Sequence, residues 1–281
     1  MRATHHRVVR RGRSTMNLTG RTVVITGSSS GIGAQAARQL AARGATVCLL
    51  ARRADELEVL RSEIVAAGGS ARAYRVDLTD PDGCAAAAAQ ILADHPVIDV
   101  LVNNAGRSIR RPIRDSLDRL HDHERVMAIN YFGAVRLTSL LLPRFLEQGH
   151  GHVTFSSTMS TQLPIPLFSA YLASKSAVES YARSLMAELG HCGISTTIVY
   201  FPMVRTEMSG ATAIYSAMPM LTAEEGGTWI VKAVTARPTR VTSLQGAVSQ
   251  VGMSVLPGVL SKVSAPMFRR MDAALARRSQ R

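Results

Sequence analysis

Residues 22–33 read Thr22-Val23-Val24-Ile25-Thr26-Gly27-Ser28-Ser29-Ser30-Gly31-Ile32-Gly33, and the fold turns on how that stretch is read. A β-branched run that ends in a glycine-serine turn and passes at once into a helical pattern is a strand, a tight turn and a helix start. Glycines let the backbone bend sharply there and come close to a ligand. The free N–H groups at the start of the helix then suit the diphosphate of a dinucleotide. Gly27, Ser29, Ser30, Gly31, Ile32 and Gly33 are the residues expected to line that cradle. Gly27 to Gly31 also spell GxSxG, the elbow that presents a nucleophilic serine in α/β-hydrolases. That elbow follows a central strand reached after several others, whereas this turn follows the first strand, so the cradle is the better reading.

Outward from the turn, short apolar runs alternate with helical stretches, the pattern of a parallel sheet covered on both faces. The spacing predicts strands at 22–26, 45–50, 71–76, 98–103, 151–156 and 194–200, with a short seventh near 240–244. Helices are predicted at 31–43, 54–67, 80–94, 116–147, 169–190 and 222–236. The fold class is therefore α/β, a single Rossmann-type doubly wound parallel sheet of six to seven strands. The dinucleotide-binding catalytic body is expected over 17–245, between a basic N-terminal arm at 1–16 and an apolar, then basic, C-terminal extension at 246–281. Met16 just before the first strand makes the leading residues an upstream start-site extension or a mobile arm. Residues 158–168 carry Pro164 and Pro166 and read as a loop at the carboxyl end of the sheet. Residues 203–221 are small and Met-rich, which suits a lid over a greasy ligand.

The second strand ends in Ala51-Arg52-Arg53, about twenty residues beyond the glycine turn. An acid there would bind the adenosine ribose, and a cation a 2′-phosphate, so Arg52 with Arg53 beside it points to NADP(H) over NAD(H). Tyr171 and Lys175 are four apart, on one face of a helix. A cation beside a phenol favours the phenolate and lowers its pKa, making the tyrosine a general acid for a carbonyl oxygen. Lysines are scarce in this chain (Lys175, Lys232 and Lys262), so one in this place is not casual filler.

Together these segments resemble the short-chain dehydrogenase/reductase family over about residues 18–245. Residues 26–33 are similar to its glycine motif, Asp77-Leu78 to its adenine-binding position, Asn103-Asn104-Ala105-Gly106 to its NNAG, and Tyr171 to Lys175 to its YxxxK. The resemblance implies that Ser157 hydrogen-bonds the substrate carbonyl, Tyr171 donates the proton, Lys175 lowers its pKa and holds the nicotinamide ribose, and Asn130 positions a relay water. It places Asn104, Ala105, Gly106, Pro202, Val204 and Thr206 at the cofactor, Thr206 beside the nicotinamide carboxamide. Two departures stand out. Ser157 lies 14 residues before Tyr171 where the family has 13, which keeps Thr158 as the alternative. Residues 202–206 (PMVRT) replace the family's PGxVxT, without the glycine and one residue shorter.

The resemblance is nearest to fatty acyl-CoA reductase-like and ketoacyl reductase-like members, which implies an apolar carbonyl substrate, a fatty acyl-CoA or fatty aldehyde. A 3-oxoacyl-thioester reductase and a steroid-type hydroxy dehydrogenase are the alternatives within the class. A binding protein that senses NADP(H) would need no intact Tyr171 and Lys175 pair, so the full set of catalytic residues argues against it. The resemblance also implies a homodimer or homotetramer paired through the helices at 116–147 and 169–190.

Composition agrees with a globular enzyme: 281 residues, 46% hydrophobic and 19% charged. The cysteines Cys48, Cys84 and Cys192 form no CxxC pair, which suggests neither a disulfide framework nor a zinc site. His121, His123, His150 and His152 lack a third ligand at useful spacing; solvated loop or helix positions are expected for them, and no metal. Ten of the thirteen net positive charges fall in residues 1–16 and 262–281. The nearly balanced body carries no basic stripe with interleaved aromatics, so no nucleic-acid partner is expected. With no apolar signal core and no spanning run, a cytoplasmic protein is expected. The arginines after residue 268 suggest peripheral contact with a membrane through the extension.

Overall fold

The computed structural model describes residues 15–163, 165–207, 220–256, 258, 259, 262 and 266. Seven strands, β1 (Thr22–Thr26), β2 (Thr46–Ala51), β3 (Ser70–Arg75), β4 (Val100–Asn103), β5 (Gly151–Thr158), β6 (Ile194–Phe201) and β7 (Arg240–Val241), form one sheet. The order is β3-β2-β1-β4-β5-β6-β7, with every neighbouring pair parallel. The chain runs outward from β1 through β3 and then returns to the other side of β1 at β4. The crevice at that reversal, at the carboxyl ends of β1 and β4, is where an open α/β sheet binds its ligand.

Among the described residues eight α-helices accompany the strands: α1 (Gly31–Ala41), α2 (Ala54–Ala66), α3 (Pro81–Asp94), α4 (Leu120–Met127), α5 (Gly133–Gln148), α6 (Ser169–Leu189), α7 (Ala223–Ala236) and α8 (Leu244–Val255). Val23, Ile25, Val47 and Leu49 face α1, α2 and α7. Val24, Cys48, Leu50, Leu101 and Phe155 face α3, α5 and α6. The period of two along β1 thus feeds two cores, and both faces are apolar because both are covered.

The helix expected over 116–147 begins at Leu120 and is broken at Ala128–Phe132 by a π turn. Leu120–Gln148 is long and apolar enough to cross a membrane by length and composition alone, which the sequence reading did not foresee. Its inward residues Val126, Leu137, Leu141 and Phe145 are fully buried in the fold, as in a core helix.

Strand β5 runs two residues further than expected, to Thr158. The following loop opens as a 3-10 turn at Met159–Gln162 that Thr158 caps, accepting from the Ser160 N–H at 3.2 Å. The extension is not wholly separate from the body: α8 starts at the Ser243 cap and packs on that turn. A side chain at Gly246 would meet Met159 Cγ at 3.1 Å. Met16 also belongs to the body, packed against the first core layer with its N–H donating to the Thr235 carbonyl at 2.8 Å. Residues 1–14 of the arm, 208–219 of the Met-rich segment, and the arginines after residue 268 lie outside the described residues. The Met-rich segment leaves and returns at one point, where Arg205 N–H donates to Leu221 and Leu221 N–H to Met203, at 2.8 and 2.9 Å.

Candidate active site

The glycine turn leaves no room for side chains. Gly27 and Gly31 hold φ of +68° and +57°, and a Cβ at Gly27 would lie 2.7 Å from Ala105 Cα. At Gly33 it would lie 2.3 Å from the Gly27 carbonyl oxygen. Helix α1 then follows Ser30, whose side chain makes no cap, and has no acid in its first turn. Its first N–H groups are thus left for an anionic group, which is what a cofactor diphosphate requires. Ser29, the serine of the GxSxG pattern, accepts from Arg53 at 3.1 and 3.3 Å, a partner that is no base, so nothing here activates it as a nucleophile.

The two arginines after β2 divide differently from the sequence reading. Arg53 is the one that reaches the glycine turn, and it also lies 3.3 Å from Glu56 and 3.6 Å from Glu207. Arg52 is 71% exposed and faces Asp77 at 3.8 Å. Burial opposes the Asp77 charge, but hydrogen bonds from Thr79 and the field of Arg52 hold its carboxyl below the usual range. Leu78 is buried, and its carbonyl accepts from Arg136 at 2.6 Å.

Asn104 ties the strand ends together. Its N–H donates to Thr26 Oγ1 at 2.9 Å, its Nδ2 to the Thr26 carbonyl at 3.1 Å, and its Oδ1 accepts from Ser156 Oγ at 3.2 Å. Ala105 N–H shares the Thr26 hydroxyl, and Gly106 comes between Asn130 and Lys175: a Cβ there would meet Asn130 Oδ1 at 3.1 Å and Lys175 Nζ at 3.4 Å. Asn130 sits in the π turn, a local unwinding often found at functional sites. Its Oδ1 accepts from Arg107 N–H at 2.7 Å, while Nδ2 donates to Arg107 O at 2.9 Å and to Ser174 Oγ at 2.8 Å. Ser174 in turn donates to the Tyr171 carbonyl at 2.7 Å.

Lys175 donates to the Ser156 carbonyl at 2.8 Å. Ser157 shares a face of the sheet with Phe155, the face that α6 covers, and donates to Glu179 Oε1. Thr158 alternates away from that face. Ahead of α6, Leu167 adopts φ +70°, a strained value for a residue other than glycine, and its carbonyl accepts from Arg111 N–H at 2.7 Å. Pro202 and Val204 follow β6, and Thr206 reaches the glycine turn, where a Cβ on Gly31 would touch its Cγ2 at 3.3 Å.

Burial, rather than the lysine, governs the phenol. It pushes the Tyr171 pKa up to about 12, and the Glu179 charge pushes the same way. Lys175 is pushed down to about 8 by burial, with Glu179 opposing. The expected lowering of the tyrosine pKa by its lysine is not seen here: burial and the Glu179 charge both raise it.

The expected solvation of the histidines fails at His152, which is fully buried in β5 and bonded to Ser195 at 2.8 Å and Thr154 at 3.1 Å. Among the described residues no group of three or more His, Cys, Asp or Glu is placed to hold a metal.

A sequence model of the short chain dehydrogenases matches residues 21–214. The chain belongs to the short-chain dehydrogenase family. It is 40% identical to a fatty acyl-CoA reductase of Acinetobacter baylyi over 92% of this chain and 89% of that one. With a fatty acyl-CoA reductase of Mycobacterium tuberculosis it shares 41% identity over 80% of this chain and 77% of that one. A putative NAD(P)-dependent gluconate 5-dehydrogenase from Beutenbergia cavernae, solved with bound NADP, superposes with a TM-score of 0.74 at 28% identity, covering 82% of this chain and 97% of that one. This member of the family is an oxidoreductase of the short-chain type with the expected doubly wound fold. Sequence reasoning missed Glu179, Arg107 and Ser174. Only the apolar setting of Glu179 on the Tyr171 face of α6, eight residues after Tyr171, offered a signal.

Proposed function

We propose that this dehydrogenase reduces a lipid-like carbonyl, a fatty acyl-CoA or fatty aldehyde, with NADPH. The observation that carries the reading is that Tyr171 and Lys175 stand one turn apart on α6, where Lys175 holds the Ser156 carbonyl beside Ser157 and Ser174 ties in Asn130, with helix α1 uncapped after β1. The nicotinamide cofactor, when bound, supplies the hydride. Ser157 then hydrogen-bonds the carbonyl oxygen, and Tyr171, kept protonated at neutral pH by burial, donates a proton to it. A fatty aldehyde thereby becomes the alcohol, and an acyl-CoA a hemithioacetal whose C–S bond breaks to release the aldehyde and the coenzyme A thiol. Lys175 supplies positive charge beside the phenol and holds the nicotinamide ribose. Asn130, whose side-chain amide is already engaged, positions the relay water through the backbone of its π turn.

NADP(H) over NAD(H) is supported by the two cations after β2. Asp77 and Leu78 form the adenine edge, residues 104–106 the floor, and Pro202, Val204 and Thr206 the nicotinamide side. The lipid-like substrate is supported by the names of the two bacterial relatives and by exposed apolar residues on either side of the 159–168 loop. Leu244, Val248, Val251 and Val255 form one stripe of α8, and Ile113 and Leu117 stand on the segment that Arg111 ties to Leu167. That stripe and the basic residues after 268 support peripheral contact of a cytoplasmic enzyme with an anionic membrane. Phe132 and Leu146, 52% and 42% exposed, support pairing of two copies through the 120–148 helix.

The test is NADPH consumption with long-chain acyl-CoA, fatty aldehyde, 3-oxoacyl-thioester and steroid substrates. Turnover highest with the first two supports the reading. Turnover confined to the 3-oxoacyl or steroid compounds replaces the substrate, and none with any of them, despite tight NADPH binding, replaces the enzyme with a cofactor sensor.

A further inference from the structure

The buried carboxylate of Glu179 has no part in the reaction just described, yet it lies directly behind the hydroxyl assigned to the carbonyl. It stands on α6 one turn beyond Lys175 and is 7% exposed. Ser157 donates to its Oε1 from β5, and the Tyr200 hydroxyl donates to its Oε2 from β6 at 3.2 Å. Arg183, on the next turn of α6, lies 3.7 Å from Oε2. The carboxylate thus has partners on three sides, two hydroxyls and a guanidinium.

A carboxylate only accepts hydrogen bonds, whereas a serine hydroxyl has one hydrogen and two lone pairs. With its hydrogen given to Glu179, Ser157 has only lone pairs to offer elsewhere. Tyr171 keeps its proton, since burial holds its pKa near about 12. A substrate oxygen between them therefore meets a donor at Tyr171 and an acceptor at Ser157. An alcohol oxygen, which both gives and accepts, satisfies the two. A carbonyl oxygen only accepts, and gains Ser157 only after the serine hydrogen leaves Glu179.

We propose that Glu179 is a positioning residue that holds the Ser157 hydrogen toward α6, so that the site fits the alcohol form of its substrate more closely than the carbonyl form. The inference rests on the role of Ser157 given above. Its consequence is strong inhibition by the alcohol product and a weaker carbonyl complex than two free donors would give.

Glu179→Gln tests it. Tyr200 donates to the amide oxygen of the new side chain, which turns the amide N–H groups to Ser157 and frees the serine hydrogen for the site. With the carbonyl that the parent reduces best and its own alcohol as product inhibitor, the carbonyl KM falls and the alcohol inhibition constant rises. Their ratio changes by about tenfold, the effect of one charge-assisted hydrogen bond, while the overall equilibrium constant stays put. Glu179→Asp, which keeps the charge and loses the reach, moves the ratio in the same direction and decides the matter if the glutamine variant does not fold. In a Ser157→Ala background, where carbonyl and alcohol are read as dissociation constants by fluorescence titration of the cofactor complexes rather than by turnover, the Glu179 changes leave their ratio alone, which a merely structural role would not predict. A ratio within twofold of the parent in Glu179→Gln, with Ser157→Ala inactive, overturns this inference and leaves the role of Ser157 standing. Ser157→Ala with parental turnover overturns both.

Discussion

The Lys175 ammonium lies 5.9 Å from the centre of the Tyr171 ring, one helical turn further along α6. No direct hydrogen bond joins the two, and the anchor of the lysine is the Ser156 carbonyl. The pair is set by the helix, while its electrostatics are set by what buries it.

Tyr171→Phe keeps the ring that packs beside Phe168 and removes the proton donor. Carbonyl reduction falls by about 10²- to 10⁴-fold, the usual worth of general acid catalysis. NADPH affinity, read by fluorescence titration, stays near the parental value. Activity within twofold of the parent would remove Tyr171 from the reaction.

The depressed Lys175 pKa gives two pH dependences of known sign. Carbonyl reduction is level below about pH 8, where the lysine is charged, and declines above it; Lys175→Met has low activity and no such decline. For stability, the unfolded lysine titrates near its ordinary 10.5 and the folded one near 8, so between these values the unfolded chain binds more protons. Urea midpoints corrected for other groups by the Lys175→Met variant therefore rise through that window. A contribution that falls there instead would mean the lysine is stabilised as a cation in the fold.

On the proposed NADP(H) reading, Arg52→Asp exchanges attraction for a 2′-phosphate for repulsion. NADP(H) binding weakens about ten- to a hundredfold more than NAD(H) binding. Arg53→Ala also removes the tie to Ser29 in the glycine turn and so weakens both cofactors. Dissociation constants for all four forms check this, and equal losses in Arg52→Asp would shift the phosphate to Arg53.

Val248→Asp with Val251→Asp places charge on the α8 stripe, where these residues are 65% and 64% exposed and no core packing is lost. Co-sedimentation with phosphatidylserine-containing vesicles falls, while melting temperature and activity on short carbonyl compounds hold. Neutralising the arginines after residue 268 removes about 1 kcal/mol each at low salt. Binding unchanged by both sets of changes would end the membrane reading.

How much was legible without coordinates differs from element to element. The strand, turn and helix of residues 22–33 follow from β-branching, glycine and a helical period, all properties of neighbours in the chain. The YxxxK spacing likewise belongs to one helix. By contrast, the π turn at Asn130 arises where its side chain clamps the Arg107 backbone, 23 residues away. His152 reads as an exposed polar residue, yet it is fully covered because β5 lies inside the sheet, with Ser195 and Thr154 there to bond it.

The amino-acid order by itself determined the alternation of strands and helices, the cradle at the glycine turn and the family motifs, because those depend on contacts a few residues long. Only the tertiary structure decided which arginine meets the turn, that burial raises the Tyr171 pKa, and that Glu179 stands behind Ser157. Those depend on solvent exclusion and on groups brought together from separate elements, and no local pattern encodes how far a charge is taken from water or which partner comes to meet it.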